Sequence, residues 1–157
     1  MSRWLDPQEQ HAWRAILRSA HVLRASMDEA LVPHGVSLGE YELLSMLSEA
    51  PGCRMRMSAL ADLIVQSRSR VSHTATRLER KGWVERVPSR EDGRGVELAL
   101  TGDGRARLGE LAPIHVESVR AAFLDHLTRE ELLVHGELMR RVLVATRRSD
   151  DEASDAV

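Results

Sequence analysis

Residues 57–101 read MSALADLIVQSRSRVSHTATRLERKGWVERVPSREDGRGVELALT, and this stretch decides the fold. The spacing of its apolar residues predicts a short helix over about 58–65, a turn, and a second helix over about 68–81. Two strands then follow, joined by a loop rich in turn-forming residues. Helix, turn, helix and hairpin in this order are typical of a winged helix-turn-helix, which indicates binding to duplex DNA.

The predicted helix over 68–81 has an apolar face and a polar face. Val71, Ala75 and Leu78 recur at helical spacing and are expected to pack inward. The major groove of DNA admits one α-helix, whose first turns read base edges with short polar and arginine side chains. A solvated face is the alternative, but Glu and Lys are nearly absent from the first three turns. The candidate DNA-binding residues here are the expected N-cap and the outward side chains: Ser67, Arg68, Ser69, Arg70, Ser72, His73 and Arg77.

The loop between the two strands, Trp83–Val87 and Val96–Leu100, supplies a second candidate contact. Glycines flank Arg94 and allow a tight turn that directs this side chain outward. An arginine at the tip of a wing suits the narrow, electronegative minor groove. Arg90 and Arg94 are therefore further candidate DNA-binding residues, and Asp92 is expected to orient an arginine.

The charge is distributed unevenly along the 157 residues. The net charge is −2, whereas residues 68–94 carry eight basic and four acidic side chains. An architectural DNA binder without sequence preference remains an alternative, but such a protein is expected to be more basic. The chain shows no nucleophile elbow, phosphate-binding loop or paired metal ligands, so we expect no enzyme, cofactor or metal.

The same sequence indicates where the protein works. Cys53 is the one cysteine, so an internal disulfide is impossible and a reducing compartment is expected. No apolar run is long enough for a membrane span, and the first ten residues lack the apolar core of a signal peptide. We therefore expect a cytoplasmic protein.

Long amphipathic helices flank the DNA-binding part. An apolar stripe predicts a helix over 7–31, and capping boxes at Ser37/Glu40 and Thr128/Glu131 predict the start of two others. Thr101 is expected to cap a helix that Pro113 kinks or breaks. The terminal stripes are too long for one small core, so they predict a homodimer.

These elements define the expected domain organisation. We predict a mainly α fold with a small β-hairpin wing, in one domain over 1–148. Its parts are a winged helix-turn-helix over 37–101, dimerisation helices over 7–31 and 102–148, and an acidic disordered tail over 149–157.

The chain resembles the multiple-antibiotic-resistance regulator (MarR) family of winged-helix regulators from about residue 10 to 147. The resemblance is carried by Leu60-Ala61, by Ser67 to Gly82 with its RLERKG ending, by Val84-Glu85-Arg86, by Arg90-Glu91-Asp92-Gly93-Arg94 and by Leu100-Thr101-Gly102-Asp103-Gly104. It implies a homodimer on a pseudo-palindromic operator, with DNA released when a phenolic or carboxylate-like ligand binds. Thr76 stands where the family often has an acidic residue, which implies that Arg77 lacks its usual partner.

The sequence also contains candidate residues for sensing a ligand, a metal or the redox state. Trp13, Arg14, His21 and Tyr41 are expected where the first two helices meet and are candidate ligand-binding residues, although Trp13 and Tyr41 also suit a plain core. Cys53 is followed by Arg54 and Arg56, which would favour a reactive thiol. No local histidine or cysteine spacing indicates zinc. A metal- or redox-responsive regulator remains an alternative.

Overall fold

The computed structural model of the chain describes residues 3–64, 66–89 and 95–154, with side chains to residue 146. It is mostly helical with a small antiparallel sheet, which confirms the predicted fold class. The helices and strands of these residues are α1 (Pro7–Leu31), α2 (Leu38–Glu49), β1 (Arg54–Arg56), α3 (Met57–Leu63), α4 (Arg68–Arg80), β2 (Val84–Pro88), β3 (Val96–Leu100), α5 (Gly102–Ala122) and α6 (Arg129–Ser154).

The chain divides into two compact units between Ser118 and Val119. This division falls inside α5. In the first unit, the DNA-binding part shares its packing with the end of α1 and the first turns of α5, because apolar residues of these helices meet it in one cluster.

Capping side chains set the starts of several helices. The Ser37 hydroxyl accepts from the Glu40 backbone N–H at 3.2 Å, and the Glu40 carboxylate accepts from the Ser37 N–H at 2.9 Å. Ser67 and Thr101 cap α4 and α5 through contacts of 3.3 and 3.0 Å. Each satisfies backbone donors that have no partner within the helix, so these predicted starts are confirmed.

Two apolar clusters hold the first unit together. The larger joins α2, α3 and α4 to the sheet, and its members are Leu43, Leu44, Leu47, Leu60, Ala61, Val71, Ala75, Leu78, Val84 and Leu98. The smaller joins α1, α2 and α5 through Leu31, Val36, Leu38, Tyr41 and Leu111. The predicted inward face of α4 thus lies in the core, with Val71, Ala75 and Leu78 all fully buried.

The sheet has one strand more than the predicted hairpin. β1 and β2 both pair with β3 in antiparallel register, in the order β1-β3-β2. The three residues of β1 read Arg-Met-Arg, without the β-branched or aromatic residues that mark a strand in a sequence. Pairing with β3 holds this segment extended. Such a contact between distant parts of the chain leaves no local sequence pattern.

A close approach fixes the end of the sheet against α5. A Cβ at Gly104 would lie 2.0 Å from the Trp83 carbonyl oxygen. The Thr101 hydroxyl donates to the Gly82 carbonyl at 2.7 Å in the same place. Glycine at 104 therefore allows α5 to start directly against the strand that follows α4.

Of the two alternatives expected at Pro113, a kink or a break in the helix, the break is wrong. α5 continues through Pro113 and ends at Ala122, so the proline does not break it. A missing hydrogen bond within a long helix is tolerated where neighbouring turns are already formed. α6 begins after the confirmed Thr128/Glu131 capping box and runs to Ser154.

Candidate nucleic-acid interface

The structure places the predicted reading face of α4 on the surface. Arg68, Ser69, Arg70, Ser72, His73 and Arg77 are exposed, and so is the capping residue Ser67. The first turn carries two arginines and no acidic side chain. Together with the unpaired backbone N–H groups of a helix N-terminus, these arginines make this end of α4 attractive to phosphate.

Arg77 has partners other than the acidic residue that the family often carries at position 76. Its Nε donates to Glu40 at 3.3 Å and its terminal nitrogen to the Thr74 hydroxyl at 3.2 Å. Lys81 also donates to Glu40, with both oxygens within 3.1 Å of Nζ. Glu40 was recognised from the sequence only as a capping residue, because a partner 37 residues further along the chain leaves no local pattern.

The hydroxyl of Thr76, which departs from the family pattern, is hydrogen-bonded to the sheet and not to Arg77. Its hydroxyl accepts from Arg86 of β2 at 3.2 Å, and Arg86 also forms an ion pair with Glu79. A cation of the sheet is thereby held against the reading helix. The sequence indicated a basic module here but not this pairing.

A polar cluster connects β1 to the base of the wing. Glu97 of β3 is 7% exposed, forms an ion pair with Arg54 and accepts from the Ser89 hydroxyl at 3.0 Å. Arg54 also donates to the Pro88 carbonyl at 2.7 Å, and Arg56 donates to Ser89 at 3.3 Å. These contacts hold the ends of β2 and β1 against Glu97 of β3. The predicted residues Arg90, Asp92 and Arg94 lie outside the described part of the chain.

A cleft of about 550 Å³ separates the reading helix from α1 and the start of α2. Arginines from α1 and α4 line it, together with two histidines and one carboxylate that already accepts from the Leu38 N–H at 2.7 Å. The lining residues are His21, Arg24, Ala25, Asp28, Ser37, Leu38, Gly39, Gln66, Arg70, His73, Thr74 and Arg77. Among the lining side chains, three arginines outnumber one carboxylate, and the cleft has the size of a small-molecule site.

Comparison with known proteins decides the family. A MarR family model matches residues 34–95. The HTH-type transcriptional repressor Rv2887 of Mycobacterium tuberculosis is 34% identical over 113 residues, which are 72% of this chain and 79% of that protein.

This chain belongs to the MarR family.

Two solved structures of MarR family transcriptional regulators from Streptomyces coelicolor agree closely with it. AbsC is 39% identical with a TM-score of 0.86, and the match covers 93% of this chain and 99% of AbsC. Sco3205, solved in complex with DNA, is 40% identical with a TM-score of 0.85 over 90% of this chain and 89% of its own. As a member of this family, the chain is a DNA-binding transcriptional regulator.

The ligand-binding residues predicted for this MarR-family chain are not brought together. His21 lines the cleft. Tyr41 is instead a core residue, 7% exposed, whose ring lies 4.2 Å from that of His115. Trp13 and Arg14 are exposed on α1 and are not among the cleft residues. Arg24 and Asp28 follow His21 by one and two helical turns and also line the cleft. The sequence did not single them out, because their partners belong to α2.

Cys53, the candidate redox sensor, contacts an arginine other than the two that were expected to activate it. Cys53 lies in a turn with a positive φ of 55°, and its sulfur contacts Arg105 of α5. Arg54 and Arg56 turn instead to the base of the wing.

Within residues 3–64, 66–89 and 95–146, no three His, Cys, Asp or Glu side chains form a possible metal site. In the described part of the chain, no helix has the length and apolar content that crossing a membrane requires.

Proposed function

We propose that this chain is a homodimeric repressor that leaves its operator when a small anionic ligand binds the cleft between α1, α2 and α4. The observation that carries the proposal is the shared wall of this cleft. Arg70 and His73 belong to the exposed face of α4 and also line the cleft. A ligand that engages them there changes the groups available to DNA, which couples the two binding events.

The charge of the cleft supports an anionic effector. Arg24, Arg70 and Arg77 line it, and the carboxylate of Asp28 is engaged by a backbone N–H. Arg24 and Arg77 also pair with Glu42 and Glu40, but a guanidinium has five N–H donors and keeps some for a ligand. A carboxylate gains charge-assisted hydrogen bonds from guanidinium groups, and an aromatic ring suits a cleft of this size. Phenolic and carboxylate-like compounds are therefore the class to test.

Two similar proteins that are transcriptional repressors support a repressor function for this chain. Rv2887 and the YetL protein of Bacillus subtilis, which is 26% identical over 121 residues, are both transcriptional repressors. A repressor needs specific occupancy of its site, and twofold symmetry provides this by presenting two reading helices to half-sites about 34 Å apart.

Exposed apolar side chains on α1 and α6 support the homodimer. On α1, Trp13, Leu17 and Val22 are 50% exposed or more. On α6, the corresponding exposed residues are Leu133, Val134, Val142 and Leu143. Rows of large apolar side chains on a helix surface are unusual unless another surface covers them, and a second copy of the chain brings the same rows.

The test combines operator selection with ligand titration. Duplexes selected from a random pool are bound to the protein, and benzoate or salicylate is added, with benzamide as the uncharged control. We expect the carboxylates, and not benzamide, to weaken operator binding. Equal affinity for selected and random duplexes would contradict the repressor and favour the architectural alternative.

A variant of α1 separates ligand response from DNA contact. Arg24→Met removes a cation of the cleft that is not on α4, so it should keep operator affinity and lose the response to carboxylates. Arg18→Met is the matched control, because Arg18 is exposed on the same helix and is not among the cleft residues. If both variants respond like the unchanged protein, the cleft is not the effector site.

A further inference from the structure

Glu40 is a buried carboxylate at the start of α2 with more partners than a cap requires. It is 4% exposed and accepts from the Ser37 backbone N–H at 2.9 Å, which completes the capping box. The same two oxygens accept from Arg77 at 3.3 Å and from Lys81 at 3.0 and 3.1 Å. One carboxylate therefore caps α2 and holds two cations from the end of the reading helix.

Burial favours the neutral form of Glu40, yet its surroundings keep it charged. Desolvation raises the pKa of this carboxyl, but the Ser37 N–H, Lys81 and Arg77 together outweigh burial and hold the pKa below its ordinary value. A charged carboxylate with this set of partners is costly to leave unpaired. Arg77 and Lys81 are accordingly restrained as long as Glu40 is present.

Both cations have a second contact that fixes their direction. Arg77 donates to Thr74, which is 4% exposed, and Lys81 donates to the Gly35 carbonyl at 2.9 Å. The last turn of α4 is thus tied to the junction between α1 and α2. Their side chains are still 51% and 32% exposed, so each would be able to reach a phosphate if it were released.

We propose that Glu40 is a positioning residue that sets DNA specificity by withholding Arg77 and Lys81 from phosphate. This rests on the DNA-binding function above. Contacts to phosphate raise affinity for every sequence alike, whereas contacts to base edges discriminate. By restraining two cations and fixing the orientation of α4, Glu40 lowers binding to random DNA and keeps the first turns of the helix in register with the bases.

Glu40→Gln tests this with little change in shape. Glutamine also serves at the third helical position of a capping box, so the start of α2 is kept while the ion pairs are lost. Binding to a random duplex is measured by fluorescence anisotropy over a range of salt concentrations. Each phosphate contact contributes about 0.9 to the slope of log affinity against log salt. We expect the slope to steepen by about 0.9 to 1.8, and the ratio of operator to random affinity to fall.

Glu42→Gln is the matched control. It lies on the same helix, removes the same charge and releases Arg24 of α1 from an ion pair at 3.0 Å. We expect its slope for random DNA to equal that of the unchanged protein. Equal slopes for Glu40→Gln, Glu42→Gln and the unchanged protein would overturn the proposal, and so would a loss of affinity in Glu40→Gln at an unaltered slope, which is the result expected of a merely structural role.

Lys81→Met keeps the proposal testable even if Glu40→Gln does not fold. With Glu40 present, Lys81 is withheld, so its loss should leave the slope for random DNA unchanged. A slope flatter by about 0.9 would show that Lys81 already contacts phosphate and would overturn the proposal. Since these slopes are measured on random DNA, they do not depend on whether an operator or an effector has been identified.

Lys81 also offers a direct reading, because it is the one lysine of the chain. Incorporation of 13C-labelled lysine gives one lysine Cε signal by NMR and leaves the N–H donors of the ammonium group in place. We expect random DNA to leave this signal unchanged in the native sequence and to shift it in Glu40→Gln. A shift of equal size in both proteins would contradict the restraint by Glu40.

Discussion

Single residues decide how closely the elements of this fold approach each other. Gly104 and Gly109 both lie in α5, and their surroundings differ. A Cβ at 104 would meet the Trp83 carbonyl oxygen at 2.0 Å, whereas a Cβ at 109 would meet nothing within 4 Å. The two positions form a natural pair for separating close packing from helix propensity.

Gly104→Ala should therefore destabilise the protein. Backbone at the start of α5 must shift, at a cost of about 1–3 kcal/mol or more. Gly109→Ala should instead raise the free energy of unfolding by up to about 1 kcal/mol, because alanine favours the helical state. Urea unfolding of both variants measures this. Equal effects of the two substitutions would contradict the close approach to Trp83.

A buried histidine should make stability depend on pH. The Nδ1 atom of His115 is buried without a hydrogen-bond partner, and its ring stacks on Tyr41. Burial lowers the pKa of His115, against a smaller opposite effect of Glu42. The folded pKa thus lies below the ordinary value of 6.5, so this contribution to stability is complete above pH 6.5 and is lost as the pH falls through the folded pKa.

His115→Phe keeps an aromatic ring against Tyr41 and removes the titrating group. We expect it to be at least as stable as the unchanged protein at neutral pH, with an advantage that grows on acidification below 6.5. His34→Gln, at an exposed position, is the control for replacing a histidine elsewhere. An advantage that stays constant between neutral and mildly acidic pH would show that His115 does not titrate as argued.

At the scale of elements, the sequence predicted most of what local patterns encode. The ends of α1, α2 and α4 follow from caps and apolar spacing, and the exposed face of α4 follows from its polar stripe. β1, the partners of Glu40 and the cluster at Glu97 were missed. Each depends on contacts between residues more than 30 positions apart, which leave no local period or motif.

Removing an arginine from α4 should affect DNA binding differently from removing one from the wing. Arg70→Ala removes a side chain from the first turn of α4, which should cost about 1–3 kcal/mol and relax selection at one base pair. Arg94→Ala, at a position outside the described residues, should weaken binding to all sequences and lower the salt slope by about 1. Single-base operator variants at two salt concentrations measure this. A change in base preference for Arg94→Ala alone would contradict the assignment of the two grooves.

For the whole molecule, the homodimer is predicted to form through the exposed apolar faces of α1 and α6. Leu17→Glu and Leu143→Glu each place a charge on one of these faces, where both leucines are 50% exposed. We expect sedimentation to show a shift toward monomer and operator affinity to fall. Leu63→Glu, at an exposed leucine of α3, should leave the dimer intact. If the first two variants sediment like the unchanged protein, the interface lies elsewhere.

The central claim is that the exposed face of α4 reads a particular DNA sequence. The measurement that tests it most directly is the ratio of affinities for a duplex selected from a random pool and for a scrambled duplex of the same composition, at physiological salt. We expect a ratio of roughly 10³ or more for the unchanged protein. A ratio near one would contradict it.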